Sequence, residues 1–153
     1  MKKLSICFLM IMCLFMTGCG DEKVYEAATL DEFSTVATNN NFVVSSNMND
    51  YVTVDYIIDA KKAVLNDIEI EMIEYSDSET AEKVLEGHVE SFNLLKSTGA
   101  HEENNKGSNY HRYVLVSNNR YMITLRVDNM LIFSKTLITN QETINKFFEE
   151  LGY

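Results

Sequence analysis

Two pairs of turn-forming residues, Asn118-Asn119 and Asp128-Asn129, constrain the fold of this chain more than any other feature. Each pair separates runs rich in β-branched and aromatic residues. After glycine, asparagine and aspartate are the residues that best tolerate the positive backbone angles of tight hairpin turns. The pattern predicts three antiparallel strands in a meander, at about 110–117, 120–127 and 130–138.

The length of these turns predicts the register of the meander. If each turn holds two residues, Ser117 pairs with Arg120 and Val127 pairs with Met130, and the register decides which side chains share a face. One face is then apolar and is predicted to lie against the core. It carries Val114, Val116, Tyr121, Ile123, Leu125, Val127, Met130 and Ile132.

The opposite face of the meander mixes apolar and cationic side chains and has two interpretations. In the first, a helix or the N-terminal segment covers part of the face and long cationic side chains cap the rest. In the second, the face is an open aromatic and basic patch that suits a partner or an anionic, ring-bearing ligand such as a cell-wall glycan fragment. This predicted binding patch consists of Tyr113, Met122, Phe133, Arg120, Arg126 and Lys135.

Three amphipathic helices are predicted around the strands. The first begins after Thr29, because Thr29-Leu30-Asp31-Glu32 is a capping box. The second begins at Asp77 or Ser78, which are good N-cap residues. The third begins near residue 140 or 143 and ends the chain.

The first half of the chain predicts three further strands. At 68–72, apolar residues alternate with Glu69 and Glu71, so both glutamates are predicted to face water. The other two strands are predicted at 42–44 and within 52–58.

Two segments have weaker patterns. Residues 59–65 are compatible with either strand or helix, and the polar segment 101–109 is predicted to be a mobile loop. The element order is then α-β-β-β-α-β-β-β-α. It predicts one α+β domain at 29–153, in which an antiparallel sheet has helices packed mainly on one face, and it excludes a doubly wound nucleotide fold.

The N-terminus has the parts of a secretion signal. Two lysines precede an apolar run at 4–15 that is too short to span a bilayer comfortably, and small residues stand before Cys19. The motif Met16-Thr17-Gly18-Cys19 resembles the lipobox of bacterial lipoproteins, in which the peptide is cut before the cysteine and the sulfur carries a diacylglycerol. The resemblance implies that residues 1–18 are removed and that 19–28 form a short lipidated tether.

The resemblance also implies a location. Two acyl chains on Cys19 anchor a protein stably to a membrane, here on the extracytoplasmic face of the cell membrane. Cys7 and Cys13 lie within the signal, so the folded part would have no disulfide, no redox pair and no cysteine metal site. No cofactor and no metal site are predicted.

The formal net charge of −10 disfavours nucleic acid as a partner, because an acidic surface is repelled by phosphate backbones. Loss of Lys2 and Lys3 with the signal would make the protein more acidic still. Solubility explains this charge without a dedicated cation-binding role.

The sequence has few features of an enzyme. It contains no glycine-rich phosphate loop, no GxSxG elbow and no HExxH pair. His88 lies on the apolar stripe of the second helix and is predicted to be half-buried and hydrogen-bonded. His101 is predicted to be solvated in a loop, and His111 lies at the start of a strand.

Three functions remain, and we rank them by how little each requires. The first is a non-catalytic, membrane-tethered binding or accessory module of the cell envelope, without catalytic residues. The alternative is an acidic inhibitory or structural partner of a basic envelope protein. The third is a hydrolase, which requires a deep pocket joining one histidine to a buried acid.

Overall fold

The computed structural model describes residues 23–153, so the predicted signal peptide and the lipidation site at Cys19 lie outside the described residues. Residues 23–153 form a seven-stranded, fully antiparallel sheet with three α-helices, which confirms the predicted α+β class. Within this range, no helix is both long and apolar enough to cross a bilayer.

The sheet has the strand order β1-β2-β3-β7-β6-β5-β4. Its strands are β1 (Val43–Ser46), β2 (Ile57–Leu65), β3 (Ile68–Tyr75), β4 (His101–Lys106), β5 (Tyr110–Ser117), β6 (Arg120–Val127) and β7 (Met130–Leu137). The helices are α1 (Leu30–Asn39), α2 (Ser78–Asn93) and α3 (Gln141–Glu150), with short 3-10 turns at Met48–Tyr51 and Ile138–Asn140.

The predicted meander and its register are confirmed. Ser117 pairs with Arg120 and Val127 pairs with Met130, so each hairpin turn holds two residues. Asn118 and Asn119 adopt positive φ angles of 51° and 61°, in the left-handed region that asparagine tolerates. The local turn chemistry therefore decides the geometry of the strongest part of the sheet.

The predicted mobile loop at 101–109 is wrong over most of its length. Residues 101–106 form edge strand β4, which pairs with β5 from His101 opposite Val116 to Lys106 opposite His111. Nearly all side chains of β4 are exposed, so the strand lacks the alternation of apolar and polar residues by which a strand is recognised. Backbone pairing alone makes this segment a strand, and it adds one strand to the predicted order.

The second strand lies later in the chain than the predicted 52–58. Strand β2 runs through the ambiguous residues 59–65, while Met48–Tyr51 forms a 3-10 turn. Ala60 and Ala63 of β2 are fully buried in the sheet. Small side chains at these positions give a weak hydrophobic pattern, which explains the shifted prediction.

The helices occupy both faces of the sheet, with two of the three on the predicted core face. Helices α1 and α3 pack on the apolar face of the meander, where Phe147 makes edge-on contacts with Phe33 and Phe42 at centroid distances of 5.5 and 5.4 Å. Helix α2 packs on the opposite face through Ala81, Leu85 and other apolar residues. Both faces of the central strands are therefore buried.

Candidate binding groove

The mixed face of the meander is covered by helix α2. Tyr113 and Met122 are fully buried beneath Phe92 of this helix. The Tyr113 hydroxyl donates a hydrogen bond to Asn93 Oδ1 at 2.9 Å, and burial raises the pKa of Tyr113 to about 12. An open patch containing Tyr113 and Met122 is therefore wrong, and the interpretation with a covering helix is correct.

Arg126 also belongs to the contact between α2 and the sheet. Its Nε atom donates to Glu82 Oε2 at 2.7 Å, and His111 Nδ1 lies 3.0 Å from Glu82 Oε1. Burial by itself would raise the pKa of Glu82, but hydrogen bonds from Lys106, His111 and Arg126 outweigh it and lower that pKa to about 2. The cluster fixes α2 to the sheet with its charges paired inside the protein.

The remaining residues of the predicted patch do not lie together with Tyr113, Met122 and Arg126 on one accessible surface. Arg120 and Lys135 are exposed, whereas Phe133 is half-buried and contacts the His88 ring edge-on at 4.4 Å. The structure does not join the six residues into one accessible surface, because α2 lies across the middle of the face.

The three histidines lie in different settings. His88 is half-buried as predicted, its Nδ1 lies 3.2 Å from Thr124 Oγ1, and burial lowers its pKa. His101 is exposed on β4. His111 has Glu82 on one ring nitrogen and Asn104 Oδ1 at 2.9 Å from the other. These two protein contacts leave neither nitrogen of His111 open to a substrate.

The prediction that Glu71 faces water is wrong. Glu71 is only 8% exposed, because the 3-10 turn at 48–51 folds over this part of β3. Asn47 Nδ2 and the Tyr51 hydroxyl each donate to Glu71 Oε2 at 2.8 Å, and Lys62 Nζ lies 3.2 Å from Oε1. Burial and the bond to this carboxylate raise the pKa of Tyr51. Glu71 is thus held as a paired, structural carboxylate.

An aromatic and basic groove occurs elsewhere, on the face of the sheet that carries α1 and α3. It has a volume of about 470 Å³ and lies between α3, strands β4 and β5, and the N-terminal segment. Its walls combine aromatic rings, amides and charged groups. They consist of Lys23, Tyr25, Asn105, Tyr110, Arg112, Asn145, Phe148, Glu149 and Tyr153.

Three tyrosines from distant parts of the chain form the aromatic wall of the groove. The Tyr25 ring meets Tyr110 and Tyr153 edge-on, at centroid distances of 4.8 and 5.8 Å. Lys23 Nζ lies 4.3 Å from the centroid of the Tyr25 ring, a cation–π contact. Arg112 lies in the floor and pairs with Glu103 at 3.0 Å.

The N-terminal segment, residues 23–28, is the described part of the predicted tether at 19–28, and it is docked against the body of the domain. Asn109 Nδ2 donates to the Tyr25 carbonyl at 2.7 Å, and the Ala28 amide donates to the Tyr153 hydroxyl at 2.6 Å. Gly152, with a φ of 93°, ends α3 and lets the Tyr153 amide bond to Phe148. This turn returns Tyr153 toward the segment that it holds.

Comparison with known proteins adds no functional assignment. No protein-family model matches the sequence, and no curated protein matches it significantly. Among solved structures, the chain is similar to a GTP binding regulator from Thermotoga maritima, with 16% identity and a TM-score of 0.48 over 84% of this chain and 87% of that chain. This level of similarity supports no inference about function.

The chemistry of the groove suits a ring-bearing, polar ligand. Tyrosine offers an apolar ring together with a hydroxyl, and the amide of Asn105 can both donate and accept hydrogen bonds. Asn145 Oδ1 accepts from the Tyr121 hydroxyl at 2.6 Å, which leaves its amide nitrogen as a donor to the groove. This site is hard to predict from the sequence, because its residues come from 23–25, 105–112 and 145–153. The one local hint is Tyr25, an aromatic residue within an otherwise charged and small-residue segment.

Proposed function

We propose that this protein is a lipid-anchored, extracytoplasmic module of the bacterial cell envelope that binds a glycan-type ligand without transforming it. The lipobox resemblance of Met16-Thr17-Gly18-Cys19 supports the location. The groove lined by Tyr25, Tyr110 and Tyr153 is the observation that carries the binding role.

The dimensions of the groove support a small ligand or one unit of a larger one. Its volume of about 470 Å³ falls within the roughly 300–1,000 Å³ that small-molecule sites occupy. A sugar ring presents an apolar C–H face and polar edges, and the tyrosine rings and asparagine amides complement both.

Two cations of the groove can pair with an anionic ligand. Lys23 and Arg112 line it, and Glu149 is the one acidic side chain among the described lining residues. Arg112 also pairs with Glu103 at 3.0 Å. The Arg112 guanidinium contacts Glu103 through one terminal nitrogen and keeps further donors for a ligand. A glycan fragment bearing a carboxylate or phosphate fits this arrangement.

The composition of the groove favours binding over catalysis. No histidine is among the described lining residues, and Glu149, the one acidic side chain among them, is exposed on α3. General acid and base catalysis requires such groups in a sheltered position beside the substrate. The best enclosed acid–histidine pair in the described chain, Glu82 with His111, has its hydrogen-bonding positions filled by protein groups.

Titration of a soluble form that begins at residue 20, without the predicted signal and Cys19, with wall-derived glycan fragments tests the binding role. We expect NMR shift changes at the groove tyrosines, and we expect Tyr25→Ala to weaken binding about tenfold, which corresponds to about 1.4 kcal/mol. Tyr56→Ala is the matched control, because Tyr56 is 47% exposed and lies outside the groove. Equal affinities for the two variants, or no binding by the wild type, would overturn this role.

Fractionation of cells tests the location. Wild-type protein is expected in the membrane fraction with a diacylglycerol on an N-terminal Cys19, which mass spectrometry of the purified protein detects. The Cys19→Ala form is expected to carry no acyl chain and to keep the apolar run at 4–15, because it lacks the residue at which the lipobox is acylated and cut. A wild-type protein whose N-terminus is not Cys19, or whose Cys19 carries no diacylglycerol, would contradict the lipid anchor.

A second candidate function is an acidic partner of a basic envelope protein. Beside α2, a pocket of about 200 Å³ is lined by aromatic residues that include Tyr51, Tyr75 and Phe133. The exposed side chain of Tyr56 also lines it, and its volume suits a single apolar side chain of a partner. A complex that weakens steeply with salt and is lost in Tyr56→Ala, but not in Tyr25→Ala, would favour this function over glycan binding.

A further inference from the structure

The groove is separated from the predicted lipid anchor by only a few residues of the chain. Three residues, 20–22, lie between Cys19 and Lys23, the first described lining residue of the groove. Even a fully extended chain spans at most about 3.6 Å per residue, so the four steps from Cys19 to Lys23 reach about 14 Å. The inference that follows rests on the proposed lipidation and glycan binding.

The docked N-terminal segment keeps that distance short. From Tyr25 onward the chain is held by Asn109, by the rings of Tyr110 and Tyr153, and by the Ala28 bond to the Tyr153 hydroxyl. Residues 25–28 therefore add no length between the acyl chains and the groove. A free tether of the predicted ten residues would let the domain move more than twice as far from the membrane.

We propose that the groove binds the anionic, sugar-bearing headgroup of a lipid in the same membrane leaflet that holds the anchor. The polar headgroup region extends about 5–8 Å beyond the hydrocarbon core, so a sugar carried by a lipid lies within reach of the groove. Anchoring in the same leaflet also raises the effective concentration of such a ligand without any further contact.

The charges of the groove explain how an acidic protein binds an anionic lipid. The overall charge opposes nonspecific adsorption to an anionic bilayer. Lys23 and Arg112 give the groove two cations, while the carboxylate of Glu149, the amide of Asn105 and the amide nitrogen of Asn145 can bond to sugar hydroxyls. Binding then depends on the sugar as well as the charge, which separates this ligand from ordinary anionic phospholipids.

The test uses full-length acylated protein reconstituted into phosphatidylcholine vesicles, with or without glucuronosyl diacylglycerol. The readout is hydrogen exchange of residues 23–28 and 105–112. We expect protection to rise about tenfold only in vesicles that contain the glycolipid. Tyr25→Ala and Arg112→Gln should lose this protection, while Tyr56→Ala should retain it. Equal protection in vesicles that contain phosphatidylglycerol instead would overturn sugar recognition.

A tether variant separates this inference from the proposed function. Inserting about twenty Gly and Ser residues after Gly20 lengthens the link between Cys19 and Lys23 from four to about twenty-four residue steps and should lower the effective concentration about 15-fold. Binding of soluble methyl glucuronide should be unchanged by the insertion, while glycolipid occupancy in vesicles should fall.

The outcomes distinguish two failures. If the wild type binds the soluble glycoside but the glycolipid does not protect it from hydrogen exchange, the proposal that the ligand is a lipid headgroup is wrong. The proposed binding of a glycan is then unaffected. If it binds neither the glycoside nor wall-derived fragments, the proposed function itself fails.

Discussion

Asn109 and Tyr25 form a reciprocal pair of hydrogen bonds. Asn109 Nδ2 donates to the Tyr25 carbonyl at 2.7 Å, and the Tyr25 amide donates to Asn109 Oδ1 at 3.3 Å. A single side chain next to strand β5 thus satisfies both backbone groups of a residue near the N-terminus. This pair fixes one wall of the candidate groove.

Replacing Asn109 with alanine should release the N-terminal segment while leaving the sheet folded. Each lost hydrogen bond contributes about 1 kcal/mol, so the free energy of local opening should fall by about 1–2 kcal/mol. Amide hydrogen exchange at Tyr25 should become about 5- to 30-fold faster. Ser108→Ala, at an exposed neighbouring position, is the control and should leave the exchange rate unchanged. Unchanged exchange in Asn109→Ala would show that the pair does not hold the segment.

Glu82→Gln should destabilise the whole domain. The substitution leaves the Arg126 side chain, which is 7% exposed, without its charged partner, and breaking a buried pair in this way costs about 3 kcal/mol. Urea unfolding measures the change. Glu79→Gln removes an 80% exposed partner of Lys83 on the same helix and should change stability by less than about 0.5 kcal/mol. Similar losses in the two variants would argue against the paired cluster.

Acid should destabilise the protein through Glu82. Its pKa falls from the ordinary 4.5 to about 2 in the folded protein, so between these values the unfolded chain binds a proton that the folded protein does not. The stabilisation from Glu82 is complete above about pH 5 and is lost as the pH falls toward 2. Urea unfolding at a series of pH values should give a shallower acid dependence for Glu82→Gln than for the wild type, and parallel curves would refute the assignment.

Asn119→Val should destabilise the hairpin between β5 and β6. The φ angle of 61° at Asn119 costs a β-branched residue about 1–2 kcal/mol, whereas Asn119→Gly should be neutral or slightly stabilising. Chemical denaturation of both variants checks the difference. If valine were tolerated as well as glycine, the left-handed turn would be wrong.

The sequence predicted the meander well because its signals are local. A two-residue turn fixes the register between neighbouring strands, and the register fixes which side chains share a face. The capping box at Thr29 and the N-cap at Asp77 were likewise readable, and both form as predicted. Each of these signals acts within a few residues along the chain.

The burial of particular side chains depends on which element packs against their strand. The alternation of apolar and polar residues along a strand does not predict this. The pattern placed Glu71 opposite the core but gave no sign that the turn at 48–51 would cover it. It put Tyr113 and Met122 on one face without choosing between helix α2 and solvent as their neighbour. Strand β4 escaped prediction because its side chains are nearly all exposed.

The sequence by itself determined the helices, the two hairpins of the meander and its apolar face, since capping, turn geometry and periodicity act between near neighbours. Only the tertiary structure decided where a ligand could bind. Tyr25, Tyr110 and Tyr153 come together because long-range pairing of the strands and the turn after α3 bring three distant segments to one place. The spacing of these three tyrosines along the chain does not predict that they lie together, because their proximity depends on the packing of the whole domain.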